Sequence, residues 1–260
     1  MNTARKIDHR AGAVFGLLVI GQLLSASALR ANTVTLRPVA DTTLYEASPN
    51  NNLGDGDTFT AGLRPKGGRT RALIEFDLTG LPANIQVTSA TLKLTVVNTP
   101  PTGPVNSTFA LHHATASWGE GNNTSRYGGA PADPGESSWN RRFAGGVSWA
   151  NPGGDFLGAI SSSAFISGNG SYFFASTAGL VSDVQGWHDN PAGNFGWLLS
   201  SQAESSSRSI RRFGSRESGA NSPSLIVEFT VVPEPSAIAL LGVGALAMAG
   251  RFLSCRRRRV

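Results

Sequence analysis

Ala90-Thr91-Leu92-Lys93-Leu94-Thr95-Val96 decides the fold class. Ala90, Leu92, Leu94 and Val96 are apolar, and Thr91, Lys93 and Thr95 between them are polar. Side chains alternate across a strand with period 2, so this stretch is a strand with one face on a core and one toward water. The same reading applies from Arg71 to Leu78. There Ala72, Ile74, Phe76 and Leu78 share one face, and Arg71, Glu75 and Asp77 share the other. Farther on, Leu225, Val227, Phe229 and Val231 alternate with Ile226, Glu228 and Thr230. Further strands are predicted at 33–39, 57–63, 108–115, 171–177, 196–201 and 208–214. Turn chemistry separates them at Gly54-Asp55-Gly56-Asp57, Lys66-Gly67-Gly68, Thr99-Pro100-Pro101-Thr102-Gly103 and Asn221-Ser222-Pro223. One short helix is predicted at about 179–188. The pattern implies an all-β chain: an antiparallel β-sandwich of jelly-roll type with one short helix. Residues 119–170 form a long, weakly periodic stretch rich in Gly, Ser and Asn, and loops of that length are usually functional or disordered.

Composition narrows the function. The chain has 260 residues and a formal net charge of +5. Nine of its 22 Lys and Arg lie outside residues 32–230. Between 32 and 230 there are 13 basic and 15 acidic residues, a net of −2. That balance argues against a nucleic-acid-binding face. The single cysteine, Cys255, lies near the C-terminus. The middle region therefore has no disulfide, thiolate metal site or cysteine nucleophile.

Both ends read as targeting segments. Arg5, Lys6 and Arg10 precede an apolar run from Ala11 to Leu24 and a small-residue site at Ala26-Ser27-Ala28. This is the layout of a signal peptide over residues 1–31, which sends the chain out of the cytosol. At the other end, residues 231–260 hold Pro233-Glu234-Pro235, an apolar stretch from Ala237 to Gly250, and Arg256 to Arg259. The 14-residue stretch would be about 21 Å long as a helix, short of the ~30 Å hydrocarbon core of a bilayer. The terminal arginines would hold it with that end in the cytoplasm. The order of triplet, short apolar helix and arginines resembles the PEP-CTERM sorting tail of Gram-negative, biofilm-forming bacteria. That resemblance implies passage through the secretion machinery and transient insertion in the inner membrane. It also implies recognition by an exosortase-type enzyme and delivery to the cell surface or matrix, often alongside exopolysaccharide systems.

Residues 32–230 carry a second ordered series. Asp41-Thr42-Thr43-Leu44-Tyr45 is followed by Asn52-Leu53-Gly54-Asp55, Arg71 to Leu78, and Ser89 to Leu94. Trp118-Gly119-Glu120, Ser138-Trp139-Asn140, Asn194-Phe195-Gly196-Trp197 and Phe213-Gly214-Ser215-Arg216-Glu217 come later. The series resembles the DNRLRE domain, a disaggregatase-related domain grouped with carbohydrate-binding modules. Ser215-Arg216-Glu217 is the nearest trace of the name motif, and the insert between Trp139 and Ser171 is longer and richer in Gly than the pattern. The resemblance implies an exported β-sandwich that binds polysaccharide.

Candidate site residues follow from residue chemistry. Trp118, Tyr127, Trp139 and Trp149, with Arg141 beside them, sit in loop-like sequence where exposed rings could stack on sugar faces. The alternative is that these aromatics pin long loops to the sandwich. Trp187 and Trp197 flank the predicted helix and a strand and are read as core. Asp41, Asn52, Asp55 and Asp57 concentrate oxygen ligands suited to a structural calcium ion, although Asn, Gly and Asp also simply make tight turns. Arg71, Arg211, Arg212 and Arg216 could hold a uronate carboxylate, or tie strands together as ion pairs, as Glu217 could. An enzyme remains an alternative. A lyase would draw on Tyr127, His112 and Arg141, and a glycoside hydrolase on Glu120 and Glu136. The leading expectation is a non-catalytic exopolysaccharide-binding module on an exported surface or matrix protein, and a purely structural matrix protein is the other rival.

Overall fold

The structure, a computed structural model, describes residues 31–125 and 128–232. Its strands in chain order are β1 (Ala31–Leu36), β2 (Pro38–Tyr45), β3 (Asn51–Asn52), β4 (Thr58–Leu63), β5 (Arg69–Phe76), β6 (Ile85–Asn98) and β7 (Ser107–His113). They continue with β8 (Ala130–Pro131), β9 (Ser162–Ile166), β10 (Gly170–Phe174), β11 (Trp197–Ser201), β12 (Arg211–Gly214) and β13 (Ser224–Val231). Helix α1 (Ala178–Asp189) lies between β10 and β11. The predicted segments become strands and a helix, and the fold is the antiparallel, mostly β architecture the alternation implies. The sequence reading lacked most of β2, the short pair β3 and β8, and β9 inside the weakly periodic stretch.

Two antiparallel sheets face each other. In one, β6 is flanked by β13, which in turn carries β1, and the far half of β6 also pairs with β10 and β12. In the other the order is β2, β5, β11, β7, β9. Strand β4 belongs to both: Thr58–Ala61 pair with β12, then Gly62 and Leu63 pair with β5. Gly62 makes this corner with φ of 114°, and a Cβ there would lie 2.7 Å from the Ile210 Cα. Only glycine accepts both conditions.

The inward faces form the main core. Phe59, Phe76, Leu92, Leu94, Phe109, Trp197, Phe213 and Val227 are fully buried in it. Phe213 stacks on Phe59 at 5.5 Å and meets Phe109 edge-on at 5.6 Å. Trp187 and Trp197 join this core, as their positions in the sequence imply. Helix α1 starts at Thr177, whose hydroxyl accepts from the Leu180 N–H at 3.1 Å, and Pro191 follows its end. The helix also closes an exposed strand edge. Gln185 accepts from the Val87 N–H at 2.8 Å and donates to the Ile85 carbonyl at 3.2 Å. Ser176 accepts from the Ala90 N–H at 3.1 Å. These groups satisfy the part of β6 that β10 does not reach.

A second core lies on the outer face of the β2–β5–β11 sheet. Leu44, Leu73 and Leu198 project there and are fully buried beneath Ala114, Ala116, Trp118, Trp139 and Trp149. The long stretch is thus a packed covering layer. Its polar seam is Glu136, which accepts from the Asn122 N–H at 2.9 Å, the Asp133 N–H at 2.9 Å and the Asn52 amide at 3.1 Å. Asn52 in turn accepts from the Asn123 amide at 2.6 Å.

Candidate functional site

The structure redistributes the residues expected to bind ligand. Trp118, Trp139 and Trp149 are buried, so they are anchors of the covering layer and not open stacking platforms. Two of them also spend their indole N–H groups inside the protein: Trp118 donates to Phe195 O at 3.0 Å, and Trp149 to Ser138 O at 2.8 Å. The Trp139 ring lies under the Arg69 and Arg71 guanidinium groups, each 5.2 Å from its centre. Arg141 donates to Gly146 O at 2.8 Å and closes a local loop. Tyr127 lies outside the described residues. The strongly exposed aromatics are instead Phe165 and Phe173, on β9 and β10. Their outward strand register was the only sequence signal for them.

The oxygen-rich residues do not converge as the sequence reading has them. Asp41 is buried and accepts from the Arg216 N–H at 2.7 Å, while its own N–H donates to Glu120 at 2.8 Å. Asn52 is committed to Glu136 and Asn123. Asp55 and Asp57 are exposed. Among the described residues no three His, Cys, Asp or Glu side chains form a metal-binding set.

The arginines separate into two kinds. Arg211 is fully buried and donates to the carbonyls of Val105, Ser167 and Ile210 at 2.9–3.2 Å, which removes it from any ligand role. Arg71 pairs bidentately with Glu204 at 2.8 and 2.9 Å. Arg216 pairs with Glu120 at 2.6 Å and with Glu217 at 2.7 Å. These are ties between elements. Glu120 and Glu136, the candidate hydrolase pair, are both acceptors in such ties. His112 is held through Nδ1 to the carbonyls of Leu157 and Ala159 at 3.1 and 3.2 Å.

Arg212 differs, because it opens onto a cavity. A pocket of about 270 Å³ is lined by Tyr45, Thr60, Arg64, Asn98, Pro100, Pro101 and Arg212, among others. Strand β4 supplies Thr60 and turns out at Arg64, β2 ends at Tyr45, and the proline turn after β6 forms a wall. The Arg64 side chain has no hydrogen bond or ion pair with the described residues. The Tyr45 hydroxyl is buried near Thr43 and Thr60 but closes no hydrogen bond, and neither does the Thr60 hydroxyl. Burial pushes the Tyr45 phenol above its ordinary value, so it stays a neutral donor. Buried hydroxyls without partners cost about 1–3 kcal/mol each, and these two lie in a pocket that Arg64 and Arg212 also line. The pocket holds the chemistry for an anionic, hydroxyl-bearing group. Arg64 went unnoticed in the sequence, where it reads as an ordinary turn residue; the neighbouring Pro100-Pro101 turn and Arg212 were the legible signals.

Comparison with known proteins agrees with this layout. Residues 32–137 match the model of carbohydrate-binding module family 96. That span contains every pocket residue named above except Arg212. Residues 231–259, which include Pro233, Glu234 and Pro235 and lie almost wholly outside the described residues, match the PEP-CTERM protein-sorting motif. A search of curated proteins finds no match. The chain thus joins a β-sandwich similar over its first half to carbohydrate-binding module family 96 to a PEP-CTERM tail of the kind an exosortase processes, the make-up of an exported, surface-sorted carbohydrate-binding protein.

Proposed function

We propose that this is a non-catalytic exopolysaccharide-binding protein of the cell surface or matrix, with the arginine-lined pocket as its glycan site. The observation that carries the reading is the pocket itself: Arg64 without a counter-ion among the described residues, Arg212 beside it, and the hydroxyls of Tyr45 and Thr60 without partners among the described residues. A carboxylated sugar supplies what Arg64 and the two hydroxyls lack. Its carboxylate takes the guanidinium donors, and its ring hydroxyls reach the two protein hydroxyls. The small volume suits one sugar unit of a chain that continues across the surface. The exporting tail then places this unit where the polymer is.

The test uses the full chain in mild detergent on a panel of acidic and neutral polysaccharides, with and without chelator. The same wells are assayed for new reducing or unsaturated ends. Saturable binding of an acidic polymer, weakened at least tenfold in Arg64→Ala, supports the reading. Cleavage would replace it with an enzyme, and equal affinity for neutral and acidic polymers would remove the pocket from it.

A further inference from the structure

A larger cavity than this pocket lies elsewhere and has the opposite charge. It is an open cleft of about 900 Å³, where β5 leaves the sheet beside the C-terminal end of α1. Its volume is in the ~300–1,000 Å³ range of ligand sites. In the β2–β5 register Tyr45 is opposite Thr70 and Pro38 is opposite Phe76. Six residues at ~3.3 Å each separate the ends, so cleft and pocket lie about 20 Å apart along one strand pair.

The cleft has an apolar wall and an acidic side. Val39, Phe76, Leu78, Leu81 and Pro191 line it, and so do Glu75, Asp77 and Asp189. Among the described residues no arginine or lysine lines it. His188 is engaged by Asp189 at 3.2 Å and by Pro82 O at 2.9 Å. Asp77 is occupied with the Thr79 N–H and hydroxyl.

Glu75 is the exception. Its side chain is half-buried, and its carboxylate makes no hydrogen bond or ion pair with the described residues. Its charged neighbours, Glu120 and Asp77, are both acidic. Burial first, and then those two carboxylates, push it above the ordinary carboxylate range. A second orphan borders the same cleft: Trp187 is 2% exposed, and its indole N–H has no partner. An acidic group without a cation, an N–H without an acceptor and an apolar wall together describe what is missing.

We propose that this cleft is a second glycan site, for a sugar that carries a free amine. The ammonium group sits on Glu75, with Asp77 and Asp189 adding to the field. The apolar C–H face of the ring lies on Val39, Leu78 and Leu81. A carboxylated sugar is turned away here by three acids, just as an amine is turned away from Arg64 and Arg212. The two sites therefore select opposite charges on one protein.

The experiment titrates the full chain with glucosamine oligomers and with N-acetylglucosamine oligomers of the same length. Acetylation removes the charge and keeps the ring, so this contrast needs no variant. The expected result is at least tenfold tighter binding of the free-amine oligomer. Glu75→Gln should abolish that preference, and Arg64→Ala should leave it unchanged. Equal binding of both oligomers, binding of neither, or an intact preference in Glu75→Gln would overturn the proposal. An acidic polymer that still binds through Arg64 in that case would leave the pocket reading standing.

Discussion

The two hydrophobic cores are built on opposite faces of the same strands, and they are closed by different means. On β5, Ala72, Ile74 and Phe76 enter the main core while Leu73 enters the outer one. On β11, Trp197 and Leu199 face inward and Leu198 faces outward. The main core is sealed by a second sheet, whose strands are held together by backbone ladders. The outer core is sealed by a loop whose only named strand pair over this face is the two-residue β3–β8 pairing among the described residues, and it relies on tryptophan anchors and a buried Glu136–Asn52–Asn123 seam. The difference teaches that a fully apolar outward residue on an otherwise polar strand face reports a covering layer. It also explains why Arg71, at the rim of that layer, is tied to Glu204 and stacked on Trp139 and not free for ligand.

Breaking each core in turn tests this contrast. Phe213→Ala should have the largest effect, a loss of about 3–5 kcal/mol, because its ring packs on both Phe59 and Phe109. Denaturant unfolding measures it, and a loss below about 1 kcal/mol would mean the inner core is not the main source of stability. Trp139→Ala should cost about 3 kcal/mol and act locally. Hydrogen exchange should rise across residues 119–157 while β6 and β13 stay protected. Uniform loss of protection would show that the two layers unfold as one. Asn52→Ala should cost about 1–3 kcal/mol by removing one buried partner each from Glu136 and Asn123. Thermal unfolding would read that effect.

The smallest expected effect is a pH dependence. Asp41 is raised well above its usual value and Glu120 is raised too, in both cases chiefly by burial, and Glu75 behaves likewise. A raised carboxyl means the folded state holds a proton that the unfolded state has released. Stability therefore falls as pH rises from the ordinary carboxylate range through the raised values. Glu46, held down by Arg69, works in the other direction but is more exposed. The melting temperature should be higher near pH 5 than near pH 8, and Asp41→Asn should flatten the slope. A melting temperature that rises steadily toward pH 8 would show that these carboxyls do not set the balance.

Much of the frame was legible. The alternation at Ala90 to Val96 and at Leu225 to Phe229 gave strands with their buried faces, because alternation is a local consequence of strand geometry. The helix was legible for a similar reason: Thr177 before it and Pro191 after it are local signals. Leu73 was not legible as a core residue, since its own strand face is otherwise Arg71 and Glu75. Trp118, Trp139 and Trp149 resisted in the same way, because a ring in Gly-rich sequence reads alike whether the loop extends into water or folds over a sheet. The partners of Asp41 and Asn52 were not legible for a related reason: they lie in residues 120–136 and 216, far along the chain.

By itself, the sequence determined the all-β class, the strand faces, the short helix, and the tail motif at residues 231–259, since each depends on neighbours in the chain. Tertiary structure alone decided which tryptophans are anchors, which arginines are spent on Glu204, Glu120 or backbone carbonyls, and which line a pocket, as Arg64 and Arg212 do. It also set an arginine pocket and an acidic cleft at opposite ends of one strand pair. The physical reason is that burial and charge pairing depend on groups brought together from distant positions. No local pattern of residues carries that information.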